Sequence, residues 1–138
     1  IRLSLVGSEM CIRDRHRTVE TMRIGEVAER TALSFRSLRH WDDVGLVQPS
    51  ARTEGGFRLY TEKDVDRILI IRRMKPLGYT LDEMRELLDV VDALTVDPSD
   101  VALRARIDDI RDGADQRRQK LTEQLAMADE FVQLLGQL

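Results

Sequence analysis

Three features of this 138-residue sequence predict a mostly α fold: a winged helix-turn-helix followed by a long C-terminal coiled-coil dimerisation helix. Two short amphipathic stretches stand on either side of Ala32-Leu33. A Gly55-Gly56 turn with short extended flanks comes next. From Leu103 to Leu135 mostly apolar residues recur in alternating steps of four and three, the spacing of a coiled-coil seam. The length suits one modest domain with an appendage. Charged residues are 34% and aromatics only 4%, a balance that fits long solvated helices around a small core. No apolar run approaches the roughly 18 residues of a membrane-crossing helix.

Residues 1–21 show neither helical periodicity nor strand alternation. VGSEMCIRDR within them resembles a translated sequencing adapter. They are expected to be a disordered or artefactual extension, with natural translation starting at Met22. The domain with the helix-turn-helix is expected over 22–95 and the coil over 96–138. Residues 22–75 carry 11 Lys/Arg against 8 Asp/Glu, a net of +3, whereas 76–138 carry 7 against 14, a net of −7. A mildly basic, anion-facing half is thus joined to an acidic half with another task. The single cysteine, Cys11, excludes an intramolecular disulfide and points to the cytoplasm. His16 and His40 are the only histidines, so no metal site of Cys/His spacing can be assembled and no cofactor is expected.

Ile24, Val27 and Ala28 share one face of a first short helix. Ser34 then caps a second, on which Leu38 and Trp41 point one way, Phe35 lies at the edge, and Arg36, Arg39 and His40 point the other. Gly45 ends it. By itself this could be a solvated surface helix. Placed second in a tight helix pair, it fits a helix that reads a DNA groove. Leu46-Val47 and Phe57–Tyr60 are expected as the extended flanks of a β-hairpin wing, where Arg52, Arg58 and Tyr60 can reach phosphates beside the groove. Thr61 with Asp64, and Thr80 with Glu83, are capping pairs that open two buttressing helices. Asp97-Pro98 is expected to open the last helix. Its seam is Leu103, Ile107, Ile110, Ala114, Leu121, Ala128, Phe131 and Leu135, with Arg117 and Gln124 at two seam positions where they weaken the coil and can set its register.

The order of these elements resembles the MerR family of bacterial transcription regulators. The carrying residues are Arg23–Thr31 (RIGEVAERT), Ser34–Leu46 with Leu38-Arg39 and Gly45-Leu46, the wing Arg52–Asp64 (RTEGGFRLYTEKD), and Leu77–Glu83 (LGYTLDE). The resemblance runs from Met22 to Leu138. It implies that Ser34, Phe35, Arg36, Arg39 and His40 present the reading helix, with Arg52, Arg58 and Tyr60 as wing contacts. It also implies a homodimer joined by an antiparallel coil on an inverted-repeat site in double-stranded promoter DNA. Regulation by bending and untwisting that DNA, in company with RNA polymerase, follows from the same resemblance. His40-Trp41 replaces two tyrosines common in the family, the cysteines of its metal-sensing members are missing, and a C-terminal ligand domain is not expected.

Two other classes are weighed against this reading. A coiled-coil interaction module with a winged helix that does not bind DNA would show no salt-dependent DNA affinity. An enzyme would need more than Asp82-Glu83 and Asp108-Asp109, which lie on solvated helix faces without a nucleophile, phosphate loop or metal set. The effector stays open between a small molecule, a partner protein and none. Activation and repression are equally compatible with the sequence.

Overall fold

The computed structural model describes residues 19–138. Cys11, His16 and most of the expected N-terminal extension lie outside the described residues. The chain divides into two compact units, one ending at Asp66 and the other beginning at Arg67.

The first unit contains β1 (Thr21–Arg23), α1 (Ile24–Thr31), α2 (Phe35–Asp43), β2 (Ala51–Arg52), β3 (Arg58–Thr61) and the first turn of α3 (Glu62–Met74). The three strands make an antiparallel sheet in the order β1-β3-β2. β1 was not foreseen. Its three residues have no local signature, and it exists because Met22 pairs with Tyr60 in β3, both of them buried. The wing is real and its second strand lies within one residue of the expected Phe57–Tyr60, but its first strand is elsewhere. Ala51–Arg52 pairs with Leu59–Arg58, whereas Leu46 and Val47 are buried at the end of α2.

That end shows why. Gly45 adopts φ +72°, a conformation that other residues reach only at some cost. Leu46 N then donates to Trp41 O at 2.8 Å and Gly45 N to Asp42 O at 2.9 Å. This pair of bonds is a Schellman cap, in which an apolar residue just beyond the glycine folds back on the helix. Between α1 and α2 the turn is made by Ala32 at φ 55°. The buried Thr31 hydroxyl donates to Val27 O at 2.7 Å, so that side chain enters the core without a stranded polar group.

The expected cap of α3 is present. Thr61 N donates to Asp64 Oδ2 at 2.9 Å and Asp64 N to Thr61 Oγ1 at 3.2 Å. The same carboxylate accepts from Ser50 N and Ser50 Oγ, which ties the approach to β2 into the cap. Arg30 makes two bonds to Glu62, at 2.6 and 2.9 Å, and this hydrogen bonding holds the Glu62 carboxyl below its usual range.

The second unit comprises the rest of α3, a single 3-10 turn (Lys75–Leu77), α4 (Leu81–Val96) and α5 (Val101–Gly136). Thr80 and Glu83 form the expected reciprocal capping box. The bond from Thr80 N, followed by the charge of Arg117, holds the Glu83 carboxyl below its usual range. The start of α5 departs from expectation. Its cap is Asp100, whose side chain accepts from Leu103 N at 3.0 Å, and Asp97 instead accepts from Ser99 N and Oγ in a short turn.

α5 packs on α4 over its first half, where Leu103, Ile107, Ile110 and Ala114 are half-buried. Arg106 pairs with Glu86. Arg117, expected at the seam of a second chain, serves its own chain instead. It donates to Leu77 O at 3.1 Å and Glu83 Oε1 at 3.0 Å, with its guanidinium 3.8 Å from the centre of the Tyr79 ring. From Arg118 to the end every residue is exposed. The apolar Leu121, Leu125, Met127, Phe131, Val132, Leu134 and Leu135 are among them.

Candidate nucleic-acid interface

The site is built on α2. Ser34 Oγ accepts from Ser37 N at 3.1 Å, satisfying one of the open donors of the first turn. Leu38 and Trp41 are 2% and 4% exposed, so burial fixes which way the helix faces. The opposite side is then forced outward. Ser34, Phe35, Arg36, Arg39 and His40 are all exposed, and the Arg39 guanidinium lies 5.8 Å from the centre of the Phe35 ring. Aromatic and cation thus support one another on the open face, with Arg36 and His40 beside them. The arrangement offers donors with fixed bases and free tips, the geometry that reading base edges requires.

The wing is folded back on this helix through one residue that the sequence did not single out. Asp42 is 8% exposed, and its Oδ2 accepts from Arg52 Nη2 at 2.9 Å and from Arg58 Nε at 2.6 Å. Hydrogen bonding to Asp42 raises the Arg58 pKa further, so Arg58 stays charged. Arg58 also lies 3.8 Å from Asp43, and Arg52 Nη1 donates to Gly56 O at 3.2 Å. In sequence Asp42 was only one half of an acidic pair. The signal that could have found it is its position next to Trp41, on the inward flank of the helix, where a lone carboxylate must find cations.

Of the wing residues, Arg52 is exposed, Arg58 is half-buried, and Tyr60 is 1% exposed. The Tyr60 ring is a core element opposite Met22, and its hydroxyl has no hydrogen-bond partner among the described residues. Burial pushes its phenol up. The direct contact expected of Tyr60 is therefore corrected: the ring supports β3 from inside. The wing tip holds a further exposed pair absent from the sequence reading, Phe57 with Arg23 at 5.5 Å from its ring centre. The turn itself is closed by Thr53 N to Phe57 O at 2.9 Å and Gly56 N to Thr53 O at 2.9 Å.

Among the described residues no three His, Cys, Asp or Glu side chains gather as a metal set. No described helix is long and apolar enough to cross a membrane.

Comparison with known proteins gives two matching family models. One, described as MerR HTH family regulatory protein, matches residues 22–90, and the other, MerR, DNA binding, matches residues 65–134. The chain is 43% identical over 70 residues to the mercuric resistance operon regulatory protein of Bacillus cereus, covering 51% of this chain and 53% of that protein. It therefore spans about half the length of that relative. It is 32% identical over 111 residues to the HTH-type transcriptional regulator CueR of Yersinia pestis, covering 79% of this chain and 80% of the relative. Among solved structures, the N-terminus of MtaN, the Bacillus subtilis multidrug transporter activator, superposes with a TM-score of 0.54 at 29% identity, covering 84% of this chain and 95% of that one.

Proposed function

Because the chain belongs to the MerR family of helix-turn-helix regulatory proteins, we propose that it is a sequence-specific DNA-binding transcriptional regulator that works as a homodimer on an inverted-repeat promoter site. The observation that carries the reading is the division of α2. Leu38 and Trp41 are buried on one side while Arg36, Arg39 and His40 are exposed on the other. Asp42 holds the wing arginines at the flank of the same helix, so the base-reading helix and the wing beside it belong to one compact unit.

Homodimerisation is supported by α5. Its last turns expose Leu121, Phe131 and Leu135, and Ala128 is open beside them, at the spacing of a coil seam. Leu103, Ile107, Ile110 and Ala114 continue the same heptad spacing but are half-buried where α5 packs on α4 of its own chain. A two-fold pair of reading helices would enter successive major grooves and match an inverted repeat. Distortion of the promoter, with RNA polymerase as the partner that responds, is the regulatory step this geometry serves.

The test is affinity for a duplex containing the operator against one of random sequence. Arg36→Ala and Arg39→Ala should each weaken operator binding by about 1–3 kcal/mol and narrow its advantage over random DNA. If neither variant changes operator affinity, α2 is not the reading element. Salt-independent binding, or none, would favour a protein-interaction module.

A further inference from the structure

We propose that Asp42 divides the two wing arginines between different tasks: Arg58 clamps the wing to α2, and Arg52 is the cation that meets a DNA phosphate. The proposal rests on the DNA-binding reading of α2 and adds to it which wing residue makes the contact.

Both guanidiniums bond to the same oxygen, Asp42 Oδ2, yet their situations differ. Arg58 makes the shorter bond, 2.6 Å through Nε, and its side chain is 22% exposed. It is flanked by a second carboxylate, Asp43, at 3.8 Å. Arg58 is thus the more enclosed of the two cations and the one with two anions beside it. Asp42 is itself 8% exposed, so moving Arg58 away would deprive a nearly buried carboxylate of its closest partner.

Arg52 has the opposite character. Its bond to Asp42 is 2.9 Å, its other partner is the neutral carbonyl of Gly56, and 46% of its side chain faces solvent. A guanidinium carries five N–H donors in a planar fork. These two bonds leave donors on Arg52 for a phosphate while its link to Asp42 is kept. Asp42 and Asp43 both flank Arg58, whereas Arg52 has one carboxylate partner and is the more open of the two cations. The turn at Gly56, φ +81°, sets the carbonyl that steadies Arg52 from its far side.

The experiment uses the full chain with Arg52→Ala, Arg58→Ala, Arg58→Lys and Asp42→Asn, together with Arg58→Ala in the Asp42→Asn background. Thermal midpoints are followed by circular dichroism. Affinity for a short random-sequence duplex is measured between about 50 and 200 mM salt, well below every midpoint. Arg52→Ala should reduce the slope of log affinity against log salt by about 0.9 per bound protomer and leave the midpoint in place. Arg58→Ala should lower the midpoint by about 4 °C or more with the slope unchanged. Arg58→Lys keeps the charge but loses the Nε geometry, and should lower the midpoint in the same direction. In the Asp42→Asn background the Arg58→Ala midpoint effect should vanish.

An unchanged slope in Arg52→Ala, or a slope loss in Arg58→Ala with its midpoint unmoved, would overturn the assignment. If the unaltered chain binds no duplex at any salt, the DNA-binding reading falls and the phosphate role of Arg52 falls with it. The midpoints of the Arg58 variants still report the clamp in that case, which separates the two failures.

Discussion

Trp41→Ala should lower the unfolding free energy by about 3–5 kcal/mol, the cost of removing a large buried aromatic and leaving its cavity. Trp41 is 4% exposed, and its carbonyl receives both Leu46 N and Val47 N at the end of α2. The side chain therefore packs where the helix is turned back on itself. A domain of this size has roughly 5–15 kcal/mol in total, so the variant should sit close to the edge of folding. Arg36→Ala and Arg39→Ala, on the open side of the same helix, should each change stability by no more than about 0.5 kcal/mol. Urea denaturation followed by far-ultraviolet circular dichroism makes the comparison, because Trp41 is the only tryptophan and fluorescence is lost with it. A loss below about 1 kcal/mol would mean that Trp41 does not anchor α2.

The second large effect is expected far along the chain. Replacing Leu121 and Phe131 together by Glu should raise the dissociation constant of the proposed homodimer at least about 100-fold. Each apolar side chain contributes roughly 1.5–3 kcal/mol when buried, and about 1.4 kcal/mol is tenfold in affinity. These side chains are 43% and 59% exposed in the single chain, so a monomer has little reason to notice their loss. Sedimentation equilibrium measures the constant, and circular dichroism checks that α5 keeps its helix. Unchanged self-association would remove this half of α5 from the dimer interface.

The contrast between Trp41 and Leu121 also marks how far the sequence could be read. Features set by bonds between near neighbours were legible: Ser34 capping α2, Thr61 with Asp64, Thr80 with Glu83, and the left-handed Gly45. Each closes within a few residues, so residue type and spacing carry the information. The inward and outward sides of α2 were legible for a related reason, since a helix repeats its faces every 3.6 residues.

Features that depend on distant partners were not. β1 has no pattern of its own and is defined by Tyr60 and its neighbours. Alternation along a strand gives two sides without saying which is covered, so the pattern around Tyr60 does not reveal that its ring is buried. Leu46-Val47 reads equally as a strand or as a helix end folded back, and the two bonds to Trp41 O decide for the latter. Arg117 fits the heptad spacing, but Tyr79, Leu77 and Glu83 claim it within the chain. Asp42 stayed hidden because its two cations come from the wing.

The most direct test of the central reading is a footprint of the full chain on the DNA upstream of its own coding region, run at low and at physiological salt. The expected result is protection of an inverted repeat between the promoter elements, with half-sites about one helical turn apart and hypersensitive bases at the centre, weakening as salt rises. No protection at low salt would contradict it.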